Sequence, residues 1–239
     1  MNNARSSLLF GSLAYTIGVA IGFFLVLVGA WADLESGAYE FPRLANAGLS
    51  GLRCPVLMTP AERGSMSLRL SNPTSNPITP SVKAQISTAL LPQEFTDHVE
   101  LKPGESKRLE WLITSENIDL QWFVFAKVML YSADPLPSQE TTCGIFVMDL
   151  PGTGRVLFPG MVVLSIIAMG WGLFQINGSR AGNEWLRKHQ GSLAFLALMI
   201  GLGLILIVMG GWIASLLVLV VILLLIIILS SSLVIDKSR

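Results

Sequence analysis

Two rhythms of apolar and polar positions divide this chain. Long uncharged apolar runs fill its two ends, and between Gly48 and Asp149 the pattern changes to short alternating segments. The first run, Leu8 to Ala32, carries no charge, and at ~1.5 Å per helical residue it is long enough to cross ~30 Å of hydrocarbon. Three further runs follow the alternating part: Val156 to Ile176, Leu193 to Met209, and Ile213 to Ile235, the last with an unbroken aliphatic block from Leu216 to Leu229. At roughly −0.3 to −0.6 kcal/mol per central Leu, Ile or Val, that block alone favours membrane insertion by several kcal/mol. Four transmembrane helices are therefore expected, with Gly210-Gly211 as the break between the last two.

In the middle, Leu52, Cys54, Val56 and Met58 share one phase, and Met66, Leu68 and Leu70 alternate with Ser67 and Arg69. Val82, Ala84 and Ile86 oppose Lys83, Gln85 and Ser87, and Leu109, Trp111 and Ile113 oppose Arg108 and Glu110. This is the period of half-buried strands. Trp122 to Tyr131 is apolar on both phases except at Lys127, as a central strand would be, and Cys143, Ile145 and Val147 close the series. Asn72 to Pro77 is a turn cluster, and in Lys102-Pro-Gly-Glu105 the Pro and Gly suit the two central positions of a type II turn. About seven short strands in about 100 residues predict a β-sandwich.

The stretch NPTSNPI followed by LKPGESKRLEW is similar to the strand-turn signatures of bacterial immunoglobulin-like domains. The layout resembles bacterial multi-span membrane proteins with one such domain outside the membrane. The resemblance covers roughly residues 48 to 150 and implies a fold and a side of the membrane, but no activity. Cysteines on the first and last strands depart from the antibody pattern. The fold class expected is thus a membrane protein of α + β type, four transmembrane helices plus an all-β immunoglobulin-like sandwich. Its divisions are an anchor at 1–32, a stalk at 33–47, the sandwich at 48–150, a hinge and second helix at 151–176, a basic loop at 177–192, and a helical hairpin with a short tail at 193–239.

Composition agrees. Of 239 residues 52% are hydrophobic and 13% charged, where a soluble domain carries about 25% charged residues. Formal net charge is zero, but residues 33–154 hold 9 Lys/Arg against 14 Asp/Glu, a net of −5. Nucleic acid is not an expected partner for so acidic a segment. Arg5, the 177–192 loop and Lys237 with Arg239 fall on one side of the four spans. The positive-inside rule makes that side cytoplasmic, both termini with it, and puts the sandwich outside a plasma membrane. Trp31 and Trp212 then serve as anchors at the outer interface. A signal peptide cleaved after Ala30-Trp31-Ala32 is the rival reading of the first run, which exceeds the usual apolar core of such peptides.

Candidate sites are few. Cys54 and Cys143, the only cysteines, are expected to form a disulfide in this oxidising compartment. Gly11, Ala14, Gly18 and Gly22 recur on one helical face, with Gly18 and Gly22 forming a GxxxG, and mark a helix-packing seam. Leu150-Pro-Gly-Thr-Gly154 matches a sortase motif, but 85 residues follow it, so a flexible hinge is the reading adopted. Asp97, His98 and Glu100 form the densest titratable cluster, too few ligands for a metal. Asn177-Gly-Ser179 is a glycosylation sequon on the cytoplasmic side. The spans contain no Asp, Glu, Lys, Arg or His, no nucleotide-binding or hydrolase motif is present, and no catalytic, metal or cofactor residues are expected. The expectation is a non-enzymatic structural or interaction protein, an accessory subunit of a membrane complex or a surface-facing binding module. Its partners would be the lipid bilayer and either other membrane subunits or an extracytoplasmic protein. A component of a transport or channel assembly is the alternative.

Overall fold

The computed structural model describes residues 2–39, 41, 45, 47–131, 137–178 and 188–237, with side chains from 7 to 232. The centre of the basic loop, Ser179 of the sequon, part of the stalk, and the side chains of Arg5, Lys237 and Arg239 lie outside the described residues. The chain forms two units, one of Met1–Ala30 with Phe158–Arg239 and one of Trp31–Leu157.

The first unit is built from helices α1 (Asn2–Ala38), α2 (Gly154–Gly178), α3 (Gln190–Val208) and α4 (Trp212–Lys237). Among the described residues these four are long and apolar enough to cross a membrane. Glycine sets how closely they pack. A Cβ on Gly18 would lie 2.7 Å from the Met169 backbone nitrogen and 2.8 Å from the Ser165 carbonyl oxygen. One on Gly22 would lie 2.4 Å from Ile200 Cγ2 and 2.6 Å from Ser165 Oγ. Polar groups in the seam are satisfied internally: Ser165 Oγ donates to the Gly18 carbonyl at 2.7 Å and Tyr15 OH to the Leu193 carbonyl at 2.7 Å. The buried stripe of α1 reads Gly11, Tyr15, Gly18, Gly22, Leu25. Ala14 is half-buried beside it rather than in it, because steps of four and three alternate around Tyr15. The opposite faces, including Phe10, Leu13, Ile167, Phe174, Ile205 and Ile227, are exposed.

The second unit is a two-sheet sandwich. Nine strands appear among the described residues, where about seven were expected: β1 (Ala47–Gly48), β2 (Leu52–Arg53), β3 (Leu57–Met58), β4 (Gly64–Ser71), β5 (Ser81–Ile86), β6 (Gln93–His98), β7 (Ser106–Ile113), β8 (Phe123–Leu130) and β9 (Gln139–Val147). One sheet runs β1-β9-β8-β5-β6 with β3 also paired to β9; the other runs β2-β4-β7. One extra strand is β1, which pairs with β9, and the other comes from the alternating run from Leu52 to Met58. That run is two short strands in different sheets, β2 antiparallel to β4 and β3 parallel to β9. The chain changes sheets at Cys54-Pro55, where proline offers no ladder donor. Met66, Leu68, Ile86, Trp111, Ile113, Val124, Ala126 and Ile145 fill the space between the sheets. The expected turn is present: Gly104 has φ +73° and Glu105 N donates to Lys102 O at 3.0 Å.

β8 is central and buried along its length. Its inward phase enters the sandwich core, and its other phase, Phe123 and Phe125, is covered by Ala32, Tyr39 and Phe41. Residues 33–38, expected as stalk, are therefore helix, the last turns of α1 lying on the outer face of the larger sheet. Gly144 lets the helix come this close, since a Cβ there would sit 1.8 Å from the Ala32 carbonyl oxygen, and its N–H donates to Asp33 Oδ1 at 3.1 Å.

Candidate functional site

Among the described residues no such cover lies on the outer face of the three-stranded sheet. In a strand, alternate side chains share a face, so Arg53 of β2, Ser67 and Arg69 of β4, and Arg108 and Glu110 of β7 come together there. The register places Arg53 opposite Ser67, Ser67 opposite Glu110, and Arg69 directly opposite Arg108. Arg53, Ser67, Arg69 and Arg108 line a depression of about 430 Å³ together with Gly51, Ser106 and Lys107. All three arginines are exposed, and Ser67 is buried beneath them. Beside the depression, Arg108 Nε meets the Glu110 carboxylate at 2.8 Å. Like charges facing each other across a ladder destabilise a sheet by roughly 0.2–1 kcal/mol, so the Arg69–Arg108 pair is held against its own repulsion. Guanidinium groups spread on a rigid face offer forked donors to carboxylate or phosphate. This face thus gathers positive charge on the segment whose net charge is negative.

Carboxylates collect elsewhere, at the open edge between β6 and β7, around a depression lined by Glu94, Asp97, Glu110 and Trp111. Each already has a partner. Asp97 Oδ2 accepts from Trp111 Nε1 at 3.0 Å, closing that edge of the sandwich. Glu94 meets Lys83 at 2.9 Å and accepts from Gln85 Nε2 at 2.6 Å, and these donors hold its carboxyl below the ordinary range. His98, next to Asp97 in β6, is exposed, as is Glu100.

Cys54 and Cys143 form a disulfide, Cα–Cα 6.5 Å, which ties the link after β2 to β9. Gly11, Gly18 and Gly22 are brought together with α2 and α3 inside the first unit, Gly11 against Gln175 and Gly172. Trp31 sits beside Phe123 with ring centroids 6.3 Å apart, and Trp212 is the first residue of α4. The Leu150–Gly154 segment is pinned rather than flexible. The buried Glu62 carboxylate accepts from Gly154 N at 2.5 Å at the start of α2, Thr59 Oγ1 donates to the Gly152 carbonyl at 3.0 Å, and a Cβ on Gly154 would strike the Leu57 carbonyl. A carboxylate at a helix N-terminus takes up an N–H that has no partner within the helix.

The arginine face was not among the expected sites. Its signal was present in the outward phase of two runs, Ser67-x-Arg69 and Arg108-x-Glu110, but only the β4–β7 register sets one arginine against the other.

No family model matches the chain, and no curated protein sequence matches it. Solved structures do. The CARDB domain of a Pyrococcus furiosus protein, an immunoglobulin-like domain, shows a weak structural resemblance: 15% identity over 46% of this chain and 99% of that one, with TM-score 0.33. A β-glucosidase from Listeria innocua matches at 15% identity over 41% of this chain and 15% of that one, TM-score 0.29. A Bacteroides uniformis β-glucuronidase matches at 16% identity over 42% and 13%, TM-score 0.29. This chain therefore spans about a seventh of the length of either enzyme. The expectation that it is not an enzyme is corrected here, since glycosidases stand among the structures it matches. At this identity and coverage the matches assign it no activity.

Proposed function

We propose that this chain is a multi-pass plasma-membrane protein whose sandwich, outside the cell, binds an anionic surface of a protein partner through the arginine face, and that it serves as an accessory subunit or binding module of a membrane assembly. Three features support the reading. Four helices expose apolar faces that water would not tolerate over so large an area. The basic sequence elements fall on one side of them. The observation that carries the partner is the third: Arg53, Arg69 and Arg108 share an uncovered sheet face at the cost of a like-charge cross-strand pair. Charge arranged this way steers association and fixes register with a partner of opposite sign.

The test uses the full chain extracted in mild detergent. Wild type retains a defined partner at low salt and loses it as salt rises, because exposed charge pairs are screened within about 10 Å at 0.1 M. Arg69→Ser with Arg108→Ser releases the partner while leaving the melting temperature unchanged or slightly higher, since a repulsion is removed. The same partners at the same yield from the double variant would overturn the reading.

A further inference from the structure

One end of the sandwich carries exposed apolar loop tips. Leu90 and Leu91, in the turn between β5 and β6, are 93% and 79% exposed; Leu120 and Trp122, in the loop before β8, are 61% and 51% exposed. The two loops share an end because β5 runs antiparallel to β8, with Ile86 opposite Ala126. Single exposed leucines are ordinary. Here both loops stand on one buried polar platform. Ser87 Oγ donates to the Asn117 carbonyl at 2.8 Å and accepts from Phe125 N at 2.9 Å, and Asn117 Nδ2 donates to the Ser87 carbonyl at 3.2 Å. Thr88 Oγ1 donates to the Leu91 carbonyl at 2.6 Å, which sets the shape of the first tip. In the second, Leu120 and Gln121 have φ of +49° and +66°. Side chains other than glycine rarely adopt this region, and bulky ones least of all. Such strain persists where the surroundings over-determine it and collects at functional loops. Asp119 provides the constraint here, exchanging backbone bonds with Phe123 and accepting from Tyr39 OH at 2.7 Å.

The same end holds both of the sandwich's chain junctions. β9 leaves it after Val147, whose N–H donates to the Trp122 carbonyl at 2.7 Å, and leads to α2; Trp31, where the last turns of α1 begin, lies against Phe123. We infer that the Leu90-Leu91 and Leu120–Trp122 tips insert into the lipid interface, as two apolar feet that seat the sandwich on the bilayer. This rests on the reading that the four apolar helices span a membrane. Lipid is the occupant that the geometry favours. A protein-binding patch is a continuous apolar centre with a polar rim, whereas these are separate protrusions at the end from which the chain enters the spans. Leucine on an interfacial segment buries into the headgroup and acyl boundary, and tryptophan prefers that depth.

Single cysteines at Leu90, Leu120, Ser75 and Ile227, made in the full chain with the Cys54–Cys143 disulfide intact, carry an environment-sensitive fluorophore in phosphatidylcholine and phosphatidylglycerol vesicles. Ser75 lies in the turn at the other end of the sandwich, and Ile227 is an exposed apolar position of α4. Nitroxide-bearing lipid should quench the probes at 90 and 120 several-fold more than the probe at 75, and aqueous iodide should do the reverse. Probes at 90 and 120 open to iodide while that at 227 is lipid-quenched would overturn the inference and leave the spans standing. Probes at 90 and 120 shielded from both quenchers would also overturn it, by showing a protein contact. A probe at 227 open to iodide would overturn the membrane reading itself.

Discussion

Lys127 is the one charged side chain in β8 and is 2% exposed; its ammonium meets Glu140, 15% exposed, at 2.9 Å. Glu140 lies two residues from Thr142, the residue opposite Lys127 in β9, so the pair is a diagonal cross-strand contact. Glu140 also accepts from Ala45 N at 3.1 Å, which draws the incoming chain onto the sheet. Desolvation makes such a pair worth little against apolar replacements of both members, but removal of one partner keeps the other charge buried without that counter-ion. Glu140→Ala should therefore destabilise the sandwich by about 3–5 kcal/mol. Lys127→Met combined with Glu140→Leu should be near neutral or stabilising, since apolar side chains then replace both desolvated ions. Thermal unfolding of the full chain in detergent decides; a double variant as destabilised as Glu140→Ala alone would refute this account. Lys127 stood out in the sequence as the only charge in WFVFAKVMLY, but its partner did not, because a diagonal contact depends on register.

At the scale of elements, α1 serves both units, its Gly11 to Leu25 stripe packing on other helices and its last turns lying on the outer face of a sheet. The GxxxG seam is spent within the chain: Gly18 and Gly22 face Ser165 and Met169 of α2 and Ile200 of α3. In the membrane setting proposed above there is no hydrophobic drive between apolar helices, so close backbone approach and the Ser165-to-Gly18 hydrogen bond would supply the attraction. Gly18→Leu with Gly22→Leu should displace α1 from α2. A cysteine pair at Gly11 and Gln175, where a Cβ on the glycine would fall 2.7 Å from that of Gln175, should crosslink efficiently in the native chain and several-fold less in the double leucine variant, while the sandwich keeps its melting temperature. Unchanged crosslinking would show that the seam tolerates bulk and that its glycines are compositional.

For the whole molecule, the orientation proposed from the charge distribution has a direct test. With the disulfide intact, a cysteine at Ser75, exposed in the turn before β5, should react in whole cells with an impermeant maleimide, and one at Ser179 should react only after lysis. Ser87, polar and between two strand signals, looks like a labelling position in sequence but is fully buried and bonded to Asn117 and Phe125. Equal labelling at Ser75 and Ser179 in whole cells would refute the orientation.

What the sequence determined by itself is whatever depends on local composition and period. Uncharged runs of sufficient length specified four helices, because the cost of a charge in hydrocarbon acts residue by residue. Alternation specified strands and their inward sides, and Pro-Gly specified the turn at Lys102–Glu105, since these follow from the pleat and from allowed backbone angles. Two cysteines, the only ones in the chain, left one intramolecular pairing, and Cys54 and Cys143 form it. The tertiary structure alone decided which strands become neighbours, and every feature of the arginine face, the Lys127–Glu140 pair and the apolar feet depends on that. Arg69 meets Arg108 across 39 positions of chain, and Leu90 shares an end with Trp122, only because β4 pairs with β7 and β5 with β8. Such pairing is chosen by the sum of many weak contacts in a shared core, and no short stretch of sequence contains that sum.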